Sequence, residues 1–242
     1  MNRFFTSDIL GSKAYLAEDD AYHIKNVLRA KVGEKFEVCN GTDKEYIAVL
    51  THVDKTSAVL DIIEEITVNR EPKHKYVLCQ CVPKCRKIDD VVRHATELGM
   101  CQFYPVISER VNIKNAEEYD KTDRLRRIVS EAAKQSKRMC IPLIEKPVLF
   151  KDIVKKAPAG ALKIIAWEEE KEVSLKTAFQ SAESPESVYI MVGPEGGLST
   201  EEVQLASQYG WISVTLGKRI LRTETAPLAL IAAAAYHFSD LE

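Results

Sequence analysis

Three glycines and a proline fall within five residues at Gly193, Pro194, Glu195, Gly196 and Gly197, specifying a backbone shape rather than a side-chain surface. They follow an apolar strand ending at Val192, and Ser199 with Glu202 has the spacing of a capping box that opens a helix. Such a turn lets a ligand approach the backbone closely, at the carboxyl end of a strand, where open α/β sheets bind ligands. It is not a G-x-G-x-x-G fingerprint, and no Gly-Lys-Ser/Thr follows it, so the two commonest nucleotide readings fail. Taken alone, the turn also fits a tight connection without a ligand.

A second segment, WISVTLGKRILRTETAPLALIAAAAYHF (211–238), repeats the strand, loop and helix pattern. Its strand ends at Leu216 and Gly217. A polar loop carries Ile220, Leu221, Arg222 and Thr223, and Ala226 with Pro227 opens the helix. Residues 226–236 carry no charge, so this helix is expected to be buried nearly all round, by its own domain or by a second copy of the chain.

Net charge is −2, which excludes a uniformly basic nucleic-acid binder. Residues 1–72 hold 9 Lys+Arg against 13 Asp+Glu, and residues 73–242 hold 25 against 23. Two windows are more basic, 73–94 and 121–138, and in the second Arg127, Lys134 and Arg138 share one helical stripe. Each run alone reads as a solvated helix face; together they make a candidate phosphate-contact surface. The six cysteines come without a secretory signal, so reduced thiols are expected. The cluster CQCVPKC fits no usual zinc spacing, and no metal site is expected. No run is long and apolar enough for a membrane span, and a cytoplasmic protein is expected.

The elements that must position these residues divide near 70–74. Residues 1–72 read as short strands (FEVC, EYIAVLTHV, AVLDIIEEI) around an Asn40-Gly41 turn, the spacing of a small barrel or sandwich. From Tyr76 strands and helices alternate to residue 238, which predicts a parallel α/β sheet over 73–242. Ile88, Val91, Val92, Ala95 and Leu98 mark one helix, with Gly99 at its C-terminal cap.

GPEGG followed by LGKRILRTETA resembles the SPOUT class of RNA methyltransferases, and within it the RsmE family. RFF (3–5), HIKNVLRAKVGE (23–34), RHATELGM (93–100), YPVISER (104–110), EAAKQSKR (131–138) and Ile141-Pro142 are similar to that family's pattern across nearly the whole chain. The resemblance implies a PUA-like N-terminal β-barrel, a C-terminal α/β domain with a trefoil knot, S-adenosyl-L-methionine as methyl donor, and a homodimer. The implied reaction is methylation of N3 of one uridine in 16S ribosomal RNA of the small subunit. Where ribose methyltransferases of the class carry Ser-Leu-Asn, this chain has Thr223 to Pro227, which favours base methylation.

The implied cofactor contacts are Val192, Gly193, Pro194, Glu195, Gly196, Gly197, Leu216, Gly217, Ile220, Leu221, Arg222, Thr223 and Ala226. Uridine N3 is a poor nucleophile until its proton leaves, so a base or anion-stabilising cations are needed. No histidine lies in either motif, so Arg138, Glu195 and Arg222 are better catalytic candidates than a histidine base such as His23. Candidate RNA contacts are Arg3, Lys25, Arg29, Lys31, Arg86, Arg127, Lys134 and Arg138. The rivals are a non-catalytic RNA-binding or ribosome-assembly protein on the same fold, which predicts no affinity for the methyl donor, and a SPOUT methyltransferase acting on another RNA site.

Overall fold

A computed structural model describes residues 1–84, 87–111, 113, 119 and 121–241. The chain forms two compact units, Met1–Glu71 with Ala133–Ile141, and Pro72–Ala132 with Pro142–Glu242. The single boundary expected near 70–74 therefore has an exception: residues 133–141, placed by sequence in the second domain, group with the first unit.

The first unit is a six-stranded sheet. Its strands are β1 (Arg3–Phe5), β2 (Ile9–Leu10), β3 (Lys13–Leu16), β4 (Lys35–Cys39), β5 (Glu45–Val53) and β6 (Ala58–Ile66), in the order β1-β4-β5-β6-β3-β2. β1 pairs β4 in parallel and the other pairs are antiparallel. Register shifts between Ile47/Ala48 and Leu50/His52 bend the β5–β6 hairpin. Phe4, Ile24, Phe36 and Leu50 are among the residues of its core. The Asn40 turn forms as expected, with Asn40 Oδ1 accepting the amides of Thr42, Asp43 and Lys44 at 3.0 Å. α1 (Glu18–Tyr22) continues as a π-helical turn His23–Val27, and Arg29 follows it with φ 53°.

The second unit is a parallel sheet of β7 (Lys75–Cys81), β8 (Met100–Ile107), β9 (Leu143–Ile144), β10 (Val148–Leu149), β11 (Leu162–Ala166), β12 (Ser187–Val192) and β13 (Ile212–Val214). The order is β10-β8-β7-β12-β11-β13, with β9 also on β8. Helices α2 (Lys87–Glu97), α3 (Thr122–Gln135), α4 (Phe150–Lys156), α5 (Leu175–Gln180), α6 (Thr200–Ser207) and α7 (Ala226–His237) lie between or after the strands in the chain, the last turn of α3 grouping with the first unit. The strands are near-continuous apolar runs, as burial on both faces requires; Tyr76, Leu78, Phe103 and Ile164 are fully buried. β9, β10 and α4 have no counterpart in the sequence-based reading.

Gly99 ends α2 with φ +96°, and a Cβ there would lie 2.5 Å from Pro72 Cγ. Gly99→Ala is thus expected to cost about 1–3 kcal/mol through left-handed strain and overlap. A urea midpoint equal to that of the native chain would contradict it. The carboxyl end of α7 is tied down by Asp240, which accepts the Lys73 amide (2.9 Å), the His74 amide (3.3 Å) and the Tyr76 hydroxyl (2.6 Å), with His74 Nδ1 at 2.9 Å. Burial pulls the Asp240 pKa up, but Tyr76, the Lys73 amide and His74 outweigh it and hold it below the ordinary value. A folded-state pKa that is depressed adds stability above the unfolded value of about 3.9, lost as pH falls through the folded one. Asp240→Asn should therefore lower stability by about 1–3 kcal/mol at neutral pH. By urea titration the gap should narrow at a pH below both carboxyl values, and a gap that widens in acid would refute the assignment.

α7 departs from the expected all-round burial. Pro227, Leu230, Ile231, Ala234 and Ala235 are buried, but Ala229 is exposed, Ala232 and Ala233 are half-buried, and Tyr236 is 79% exposed. These four positions are spaced i, i+3, i+4 and i+7, so an uncharged stripe of the helix is left uncovered by its own chain.

Candidate active site

β11, β12 and β13 lie at one side of the parallel sheet, with β11 between the other two, so their carboxyl ends bring three chain segments together. Around those ends is a cavity of ≈ 430 Å³, within the range of about 300–1,000 Å³ usual for small-molecule sites. The first segment contributes Ala166, Trp167, Glu168, Glu170 and Lys171; the second Val192, Gly193, Pro194, Gly197 and Leu198; the third runs from Thr215 to Leu221, with Ala226 beyond it.

Nine of the sequence-derived cofactor positions therefore line one cavity: Val192, Gly193, Pro194, Gly197, Leu216, Gly217, Ile220, Leu221 and Ala226. Ile220 is 84% exposed, an apolar side chain at the rim with no protein partner covering most of its surface. Glu195, Gly196, Arg222 and Thr223 lie outside the lining. Thr223 is buried, and its hydroxyl donates to the Gly193 carbonyl at 2.7 Å while accepting from Gln80 Nε2 at 3.0 Å. It ties the third segment to the glycine turn, and Gln80, at the end of β7, braces both. The Gly196 carbonyl accepts Arg110 Nη1 at 2.6 Å.

The catalytic candidates differ in their surroundings. Both Glu195 carboxylate oxygens accept the Lys84 amide at 3.1 Å, and Lys87 Nζ stands 3.5 Å from Glu195 and 3.2 Å from Glu224. The Glu224 hydrogen bond, opposed by burial, raises the Lys87 pKa, so the ammonium stays charged between the glycine turn and the last loop. Glu195 is thereby an anchor of the turn, and a proton acceptor there would have to break that pairing. Arg222 extends into solvent, 83% exposed and 4.0 Å from Glu224. Arg138 belongs to the first unit, buried, with its guanidinium bonding Glu71 at 2.5 Å.

The candidate RNA contacts also sort by environment. Lys25, Arg29, Lys31 and Arg127 are exposed. Arg86 lies outside the described residues. Arg3 is 4% exposed and ion-paired to Glu37 and Glu45, so it is a structural group of the first unit. The expected basic stripe is not free either: Lys134 bonds Asp20 at 3.1 Å, and Arg138 lies beyond the end of α3. Among the described residues no group of three or more His, Cys, Asp or Glu could hold a metal ion. Burial pushes the Cys81 thiol up to about 12.

The 166–171 segment was not singled out from sequence. Its signal was the acidic run Glu168-Glu169-Glu170 directly after an apolar strand, but its place beside the glycine turn follows from a sheet order that no local pattern encodes.

A glycine-turned cavity at the strand ends of a parallel sheet, with a separate N-terminal sheet unit, agrees with the family matches. Residues 69–235 match the RNA methyltransferase domain family and residues 16–63 the RNA methyltransferase PUA domain family, so this is an RNA methyltransferase. Curated relatives named ribosomal RNA small subunit methyltransferase E include that of Mesomycoplasma hyopneumoniae, 34% identical over 96% of this chain and 97% of its own, and that of Aquifex aeolicus, 32% identical over the same shares. The chain belongs to the ribosomal RNA small subunit methyltransferase E family. A Neisseria gonorrhoeae member solved bound to S-adenosyl methionine superposes with a TM-score of 0.87 at 32% identity, covering 98% of this chain and 97% of that one. A Legionella pneumophila methyltransferase in complex with the same cofactor gives 0.86 at 30% identity, covering 97% and 96%.

Proposed function

We propose that this chain methylates N3 of a uridine in 16S ribosomal RNA of the small subunit, using S-adenosyl-L-methionine held in the cavity between the 166–171, 192–198 and 215–221 segments. The carrying observation is that nine family-type cofactor positions surround one cavity of ≈ 430 Å³. The residues fit the group: Val192, Leu198, Leu216, Ile220 and Leu221 offer apolar faces, and the Trp167 indole N–H is buried without a partner among the described residues. When bound, the cofactor supplies an electrophilic methyl group on a sulfonium.

The chain's own contribution is alignment and charge. The Thr223–Gly193 and Gln80–Thr223 hydrogen bonds hold two of the three segments at fixed spacing, the kind of pre-organisation from which near-attack geometry derives. Lys218 and Arg219 on the lining are cations suited to offset charge developing on uracil oxygens as N3 loses its proton. Lys25, Arg29, Lys31 and Arg127 are exposed cations that would meet RNA phosphates. Nucleoside mass spectrometry of small-subunit RNA treated with the protein and methyl-labelled cofactor should show 3-methyluridine. Label in a ribose, in another base or in none would refute the reading.

The chain acts in the cytoplasm as a homodimer, and its C-terminal domain carries the trefoil knot of the SPOUT class. The uncovered stripe of Ala229, Ala232, Ala233 and Tyr236 on α7 supports the dimer, since an uncharged helix face with small residues favours close packing against a second copy. Tyr236→Asp should shift the protein from dimer to monomer in light scattering, and an unchanged mass would remove α7 as the interface.

A further inference from the structure

The carboxylates at the cavity and its rim are not equivalent. Glu170 is fully engaged, accepting the Ser213 hydroxyl at 2.5 Å and the amides of Glu172 and Val173 at 2.9 and 3.1 Å. The Ser213 hydrogen bond leads the interactions that lower its pKa. Glu195 and Glu224 share the Lys87 ammonium. Glu168 lines the cavity two residues past the end of β11 and makes no hydrogen bond or ion pair with any described residue.

Its position is nevertheless specified. A Cβ on Gly197 would lie 2.8 Å from Glu168 Oε1, and Gly197 has φ +70°. The glycine turn therefore presents a bare α-carbon where the carboxylate rests. The indole N–H of the preceding residue, Trp167, also on the lining, is buried with no acceptor among the described residues. A buried donor left unpaired and an unpaired carboxylate on one cavity wall are both completed by a ligand with an acceptor and donors of its own.

We propose that Glu168 is a cofactor-binding residue whose carboxylate accepts hydrogen bonds from the donor groups of the bound nucleoside, a role that rests on the cofactor reading above. Two parts of S-adenosylmethionine carry this chemistry, the ribose cis-diol and the α-ammonium. Both are hydrogen-bond donors to an ionised carboxylate, the stronger class of such bonds.

The test is titration calorimetry on the full chain with S-adenosylmethionine, S-adenosylhomocysteine and 5′-methylthioadenosine, which keeps the diol but lacks the ammonium. Glu168→Gln should bind the first two about tenfold or more weakly, as loss of a charged hydrogen bond requires. Glu169→Gln, an exposed neighbour off the lining, should match the native chain. An equal loss for methylthioadenosine assigns the diol, and no loss for it assigns the ammonium; either supports the proposal. Unchanged affinity of Glu168→Gln for all three ligands, or an equal loss in Glu169→Gln, overturns it. Native protein that binds none of the three defeats the cofactor reading itself. Glu168 is exposed and unpartnered, so thermal unfolding of the Gln variant should match the native chain and exclude misfolding as the cause.

Discussion

Gly197→Val is expected to weaken S-adenosylmethionine binding by about 100-fold while the protein stays folded. Gly197 has φ +70°, where a β-branched residue is a genuine outlier, and strain there costs of order 1–3 kcal/mol. The new side chain would also occupy the place of the Glu168 carboxylate, 2.8 Å from the Cβ position, and so reshape the cavity wall as well as the turn. The strain is carried by free and bound protein alike and so lowers stability; the loss of affinity comes from the reshaped turn and cavity wall, two decades corresponding to about 2.8 kcal/mol of lost contacts. Gly197→Ala should fall between the native chain and the valine variant. Calorimetry decides it: an affinity within a few-fold of native for folded Gly197→Val would show that the turn does not shape the binding site.

Glu45→Ala is expected to be the most destabilising single change in the first unit, by about 3–5 kcal/mol, the cost of leaving a buried charge without its partner. Glu45 is fully buried and bonds Arg3, itself almost wholly buried, and Arg70 at 2.7 Å. Arg3 also bonds Glu37 at 2.9 Å and donates to the Arg138 carbonyl at 2.6 Å, so the network joins β1, β4, β5 and residues 133–141 of the same unit. A phosphate could not reach the Arg3 guanidinium unless this network opened. Arg3→Ala should accordingly lower the urea midpoint. A variant with native stability and reduced RNA affinity would restore Arg3 as a surface contact.

What could be read without coordinates followed the range of the signal. The capping box of Ser199 and Glu202, the Gly99 cap, the Asn40 turn and the edges of β5 and β6 are set by residues within a few positions of each other, and they form where their spacing predicts. The glycine turn and the 216–226 loop were legible for the same reason, each being a local departure from strand and helix composition. α4 was missed although Phe150, Ile153 and Val154 repeat at helical spacing, because seven residues between two-residue strands give little pattern to read. The charged positions erred in one consistent way. Arg3, Lys134 and Arg138 look like surface cations in a linear sequence, and their carboxylate partners Glu45, Asp20 and Glu71 stand 42, 114 and 67 residues away. Pairing over such separations depends on tertiary structure, as does the meeting of Trp167 and Glu168 with the glycine turn.

The central claim is tested most directly by the structure of this protein crystallised with S-adenosylmethionine. The cofactor is predicted to lie against all three strand-end segments, in contact with Gly193 or Gly197, with Leu216 or Leu221, and with Trp167 or Glu168. Cofactor density elsewhere on the chain, or contacts that leave out the glycine turn, would contradict the account.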